Sequence, residues 1–180
     1  MRLRLRLLLL VFASFWKNPL SILDENVITF TVLPNDIDIS KITDDRYFAL
    51  MDLGRMNIAF RSGLLKVMLK NKWGPVVTFN TVRFRHPLRI FQRYQLKTRI
   101  VWWDDATFYF EQIFERKGRV VATGYVCGGL LSKYGPVLPQ QLFDAIGKVT
   151  KPCQPEIVAR LRELEVLIHA TQQDMLSFKS

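Results

Sequence analysis

Residues 44–63 read DDRYFALMDLGRMNIAFRSG, and this stretch decides the fold. Asp44 or Asp45 can cap a helix that begins near Arg46, because a short carboxylate accepts hydrogen bonds from the unpaired amides of a first helical turn. Tyr47, Phe48, Leu50, Met51, Leu53, Ile58 and Phe60 then occupy nearly every side of the helix, and a helix apolar all round has to be buried. Gly54 in its middle costs about 1 kcal/mol relative to Ala. That cost is understandable if the backbone of a sheet passes close by. Ser62 and Gly63 break the helix, and residues 64–70 form a further short, basic helical piece.

What can surround such a helix comes next in the chain. After Gly74 and Pro75, residues 76–85 read as a strand whose apolar positions change phase near Asn80, the mark of a bulge or of two covered faces. In residues 94–102, YQLKTRIVW, the side chains of Tyr94, Leu96, Thr98, Ile100 and Trp102 alternate with Gln95, Lys97 and Arg99, the period of a half-buried strand. Asp104-Asp105 supplies a turn before Phe108, Phe110 and Phe114, and Lys117-Gly118 supplies a hairpin turn. The last long strand, residues 120–131, carries Gly124, Gly128 and Gly129, where a missing side chain lets a helix or ligand approach closely. Upstream, Ile28, Phe30 and Val32 alternate with Thr29 and Thr31 until Pro34. One strand, one buried helix and an antiparallel meander form an α+β layout in which a curved sheet wraps a long central helix. Residues 139–146 form a short helix, and Pro155 opens an amphipathic one with Ile157, Leu161, Leu164 and Ile168 on a stripe.

The 180 residues, 49% hydrophobic and 23% charged, suffice for one globular core. The expected division is an N-terminal basic and apolar helix over residues 1–19, the main domain over 20–150 and the C-terminal helix over 151–180. A formal net charge of +10 favours anionic partners. Cys127 and Cys153 are far apart in sequence, so neither a zinc site nor a disulfide framework can be read from them; reduced thiols and a cytoplasmic chain are expected. Arg2, Arg4 and Arg6 precede an apolar run over residues 7–16. The run is too short to span a bilayer, and Ala13-Ser14-Phe15 lacks the small-x-small pattern of signal cleavage. An uncleaved interfacial helix, its arginines on lipid phosphates, would hold the protein peripherally on the inner membrane face. Packing against its own domain or a partner subunit is the other reading.

At Pro34-Asn35-Asp36-Ile37-Asp38, followed by Arg46-Tyr47-Phe48 and Met51-Asp52-Leu53-Gly54-Arg55, the chain resembles the 4-hydroxybenzoyl-CoA thioesterase-like branch of the hotdog-fold superfamily. Arg61-Ser62-Gly63-Leu64, Trp103-Asp104-Asp105 and Phe108-Tyr109 extend the resemblance, which covers about residues 26–131 and is carried by the order of several motifs. It implies a hotdog fold and an acyl-CoA thioesterase, working as a homodimer or dimer of dimers, with acyl-thioester tunnels at the subunit boundary. No cofactor beyond the substrate's own CoA is implied. The second Asp of the family loop maps to Asp38 as the catalytic carboxylate. Backbone amides at Asp45, Arg46 and Tyr47 would hold the oxyanion at a positive helix end. The loop departs from its relatives, which read Leu-x-Leu-His-x-Asn-Asn-x, by being one residue shorter and by placing Lys41 about where their His stands. A non-catalytic acyl-binding protein at the membrane surface is therefore the alternative function.

Other roles compete at each position. Asp38 in an Asx-turn would simply bond nearby backbone. Asp52 is the alternative catalytic carboxylate, since other hotdog branches place theirs on the helix; its ordinary role is an i,i+3 ion pair with Arg55. Arg83, Arg85 and Arg89 are candidates for the CoA phosphates. His86 and His169 share no metal-ligand spacing with Cys, Asp or Glu, so no metal is expected. Ser62 and Ser132 lack a nucleophile elbow. Nucleic acid is not expected as a partner, because the aromatics of residues 94–114 follow core periodicity.

Overall fold

A computed structural model describes residues 6–7, 19–147 and 149–177. In chain order the elements are β1 (Asn26–Thr31), a 3-10 turn (Pro34–Asp36), α1 (Asp44–Arg61), α2 (Leu64–Asn71), β2 (Gly74–Phe84), β3 (Arg93–Trp103), β4 (Phe108–Arg116), β5 (Arg119–Ser132), β6 (Gly135–Val137), α3 (Pro139–Ile146) and α4 (Glu156–Ser177). The strands run in the order β1-β3-β4-β5-β2, with β6 paired on β5, and every pairing is antiparallel. This is the expected α+β hotdog layout: a sheet curled around α1.

Helix α1 buries Tyr47, Leu50, Met51 and Leu53 against Ile28 and Phe30 of β1, Leu96 of β3 and Phe114 of β4, and Gly54 and Ile58 are buried as well. It starts at Asp44, two residues before the expected point, with Thr43 as the capping residue. Asp44 and Asp45 thus lie inside the first turn, where their charge favours the positive helix end. Gly54 is required by a close approach, but side chains make it. A Cβ there would stand 2.4 Å from Thr98 Oγ1 and 2.8 Å from Gln112 Nε2. The expectation of sheet backbone at this point is corrected.

Two further corrections concern the outer face of the sheet. The β3–β4 register shifts between Ile100 and Trp102, so Trp102 leaves the alternation of Leu96 and Ile100. It packs with Tyr109 and Cys127 under Val158 and Leu161 of α4, while Trp103 joins the core beside Phe143. The expected stripe on α4 is mostly open to solvent: Leu161 is buried, but Ile157, Leu164 and Ile168 are 38–43% exposed. Val158, one position from the stripe, is the other anchor. Trp102 is also capped by cations, with Lys151 Nζ 4.3 Å and Arg162 Cζ 5.5 Å from its ring.

The N-terminal segment lies outside the described residues except for Arg6 and Leu7. Leu7 packs on the main core, and Arg6 holds Asp36. Of the two readings of this segment, Arg6 at this one position fits packing on its own domain and not a lipid phosphate.

Candidate active site

An apolar cavity of about 320 Å³ lies between α1, α2 and the sheet, at the small end of the range for small-molecule sites. Its walls include Ile58 and Ala59 of α1, Met68 of α2, Phe108 of β4 and Leu130 of β5. Gly128 and Gly129 line it without side chains, and a Cβ on Gly128 would meet Val76 O at 2.4 Å, so glycine is what lets β2 lie this close to β5 here. Pro75, Val76 and Val77 close it at β2. β2 is a terminal strand of the sheet and, among the described residues, pairs on one side alone.

The charged lining residues are Asp52 and Arg55. They form the expected i,i+3 ion pair. The Asp52 side chain is 59% exposed at the rim, whereas Arg55 is 12% exposed. Burial lowers the Arg55 pKa from its ordinary value, with the Asp52 charge opposing. Arg55 Nη1 also donates to Gln112 Oε1 at 2.7 Å, and Gln112 Nε2 donates to the Met51 carbonyl at 2.9 Å and to Thr98 Oγ1 at 3.0 Å. A charge at the rim is thus tied through a fully buried amide to the helix backbone. Sequence reasoning did not single out Gln112. The signal was present, because Gln112 interrupts an alternating run of Phe108, Phe110 and Phe114.

The loop of residues 33–43 sits at the other end of α1. Its first aspartate, Asp36, is 2% exposed, accepts the Leu33 amide at 2.9 Å and pairs with Arg6. Asp38, the sequence candidate, is exposed on a turn closed by its amide to the Lys41 carbonyl at 3.3 Å, and it is not among the residues lining the cavity. The Arg46 and Tyr47 amides donate to the Thr43 carbonyl at 3.1 and 3.4 Å. Of the three oxyanion candidates this leaves Asp45, whose amide has no intrahelical acceptor at its position in the first turn. Tyr47 is buried, and burial pushes its phenol up to about 12. Arg83, Arg85 and Arg89 are exposed at this loop end. Within one chain, then, Asp52 meets the cavity, and Asp38, Asp45 and the arginines gather elsewhere. Among the described residues no cluster of three or more His, Cys, Asp or Glu side chains could hold a metal, and no helix is long and apolar enough to cross a membrane.

A sequence profile described as Thioesterase-like superfamily matches residues 32–133. The chain belongs to this superfamily. Protein THEM6 of Danio rerio is 30% identical over 155 residues, covering 84% of this chain and 74% of that protein. Protein THEM6 of Xenopus laevis is 34% identical over 94 residues, covering 52% of this chain and 45% of that protein, so the match spans less than half of the frog relative. Among solved structures, a gentisyl-coenzyme A thioesterase superposes with a TM-score of 0.59 at 23% identity, over 68% of this chain and all (100%) of that one. A hypothetical Staphylococcus aureus protein in complex with CoA superposes with a TM-score of 0.62 at 14% identity, over 78% of this chain and 94% of that one. At such identities the structures establish the hotdog fold.

Proposed function

We propose that this chain is an acyl-CoA thioester hydrolase that works as a homodimer. The observation that carries the reading is the apolar cavity with one ion pair at its rim, placed against a sheet edge left unpaired among the described residues. The superfamily and the CoA-bound and thioesterase neighbours support it. Two copies of β2 joined edge to edge about a two-fold axis pair antiparallel. With that axis near the middle of β2, Gly74 to Val77 of one copy stand beside Val82 to Phe84 of the other, which brings the cavity of the first near the loop end of the second. The candidates separated within one chain meet in the pair. Asp38 of the partner subunit acts as general base or nucleophile, the Asp45 amide at the positive helix end stabilises the oxyanion, and Arg83, Arg85 and Arg89 take the CoA phosphates. In the overall reaction water supplies the oxygen of the carboxylic acid product, and CoA leaves as the thiol.

Asp52 is the second candidate carboxylate, favoured by its place on the cavity rim. The test follows free thiol across a panel of acyl-CoA esters for the wild type, Asp38→Asn and Asp52→Asn. Loss of about 100-fold or more in kcat in Asp38→Asn with acyl-CoA binding retained supports the loop carboxylate. The same loss confined to Asp52→Asn moves the chemistry to the helix. A wild type that binds acyl-CoA and releases no thiol refutes hydrolysis and leaves an acyl-binding protein, a reading favoured by Lys41 and the exposed Asp38.

The proposed location is cytoplasmic, peripheral on the inner membrane face. With Arg6 committed to Asp36, lipid attachment by the N-terminal segment rests on Arg2, Arg4 and its apolar residues. Arg2→Gln with Arg4→Gln should then weaken binding to anionic vesicles.

A further inference from the structure

The loop end of the sheet carries a feature that catalysis does not use. Ile39 is 92% exposed at the tip of the turn after Asp38. Phe91 is 69% exposed and sits at φ +60°, a left-handed conformation that bulky side chains rarely adopt. Backbone bonds hold it there: its amide donates to Val32 O at 2.9 Å, and the Gln92 amide closes the turn on Arg89 O at 3.2 Å. The two turns are neighbours, because Lys41 bridges to Arg89 and the Ile42 amide donates to Leu88 O at 2.9 Å. The turn accounts for the positive φ, and it gives no reason for a phenylalanine in place of a glycine or asparagine there.

Cations stand beside the Phe91 tip, and Lys41 and Arg89 join the two turns. Phe91, Arg93, Arg116 and Lys117 line one open cleft together. Its carboxylate, Glu115, is already paired with Lys97 at 2.8 Å. Among the described residues no carboxylate pairs with Arg93, Arg116 or Lys117, and the exposed acids of the neighbouring loop and helix start are Asp38, Asp44 and Asp45. These cations line an open cleft beside the protruding Phe91, which suits an interface where headgroup charge lies over an acyl layer.

We infer that this end of the sheet docks on an anionic lipid surface, with Ile39 and Phe91 entering the acyl boundary and Arg93, Arg116 and Lys117 meeting headgroup phosphates. The inference goes beyond the hydrolase reading and requires neither hydrolysis nor lipid binding by residues 1–19.

The experiment is co-sedimentation of the full chain with phosphatidylcholine vesicles, with and without phosphatidylserine. One variant combines Arg93→Gln, Arg116→Gln and Lys117→Gln. Another combines Ile39→Ser with Phe91→Gly, which removes both tips and relieves the positive φ, so it should fold at least as well. The charge variant should bind phosphatidylserine vesicles about tenfold or more weakly, and the tip variant should also lose binding. Hydrogen exchange on the wild type, which needs no variant, should show vesicle-induced protection at residues 37–41, 89–93 and 116–118. Unchanged vesicle binding by both variants overturns the inference, as does an absence of protection there. It is also overturned if the charge variant loses free CoA but keeps the vesicles, which would make these cations a nucleotide site.

Discussion

The Arg6 guanidinium grips the buried Asp36 carboxylate with two hydrogen bonds, 3.0 and 2.5 Å long. The same group reaches the Thr31 carbonyl at 3.3 Å, so one N-terminal side chain ties the end of β1 to the loop that presents Asp38. Neither charge has easy recourse to water, with side-chain exposures of 14% and 2%. Removing one partner leaves the other buried and uncompensated. Arg6→Met and Asp36→Asn should each cost about 3 kcal/mol, and the double variant should cost less than their sum, because no unpaired charge remains. Urea unfolding checks this; single variants within about 0.5 kcal/mol of wild type would show a surface-like pair.

Gly54→Ala should destabilise the fold although Ala is the better helix former. Propensity offers about 1 kcal/mol, but the new methyl meets Thr98 Oγ1 and Gln112 Nε2 inside van der Waals distance. Such overpacking costs about 1–3 kcal/mol beyond it. Thr98→Ala removes the nearer atom and leaves Gln112 its bond to the Met51 carbonyl. The two substitutions together should therefore recover at least about 1 kcal/mol of the summed loss. Strict additivity in denaturant midpoints would place the strain elsewhere.

How much was legible in the sequence depended on the range of the interactions. The α1 helix, the β3–β4–β5 meander and the short α3 follow from periodicity and turn residues, which are local. The glycine at 54 announced a close approach, but not that side chains would make it. Trp102 deceived because one bulged residue reverses every later side chain of a strand, and nothing local in the run of Val101, Trp102 and Trp103 marks where the bulge falls. Among the site candidates, the Asp52–Arg55 pair could be read because i,i+3 neighbours on a helix meet. The separation of Asp38 from the cavity, and the use of Arg6 on Asp36 thirty residues away, are tertiary facts with no signature in spacing.

Glu165 gives α4 a pH-dependent hold on the sheet. Its pKa is raised by burial and then by the Asp104 charge, while His169, Arg162 and a hydrogen bond to Thr78 pull it back. An acid whose folded pKa is raised adds stability that is fully present below the unfolded value of about 4.3 and lost as pH rises through the folded value. At neutral pH, Glu165→Gln should raise Tm. The gain should shrink as pH falls and vanish below the unfolded value, where the glutamate is neutral in both states. A variant less stable than wild type at pH 7 would mean that attraction to Arg162 and His169 outweighs desolvation.

The cavity should set the length of acyl chain accepted, and Ala59 is the place to test this. It lines the cavity from α1 and packs at the edge of the cluster formed by Leu64, Met68 and Phe143. Ala59→Phe fills space that is apolar on every described side away from the Asp52–Arg55 rim. Filling such space adds dispersion contacts and does not strand a polar group, so stability should hold or rise. Each methylene that no longer fits loses about 1–3 kcal/mol of discrimination. Long-chain acyl-CoA esters should therefore lose at least about tenfold in kcat/KM, and short-chain esters should keep theirs. The Kd series for the same esters provides the readout if no thiol is released. A loss equal for short and long chains would put the acyl group outside this cavity, whichever carboxylate performs the chemistry.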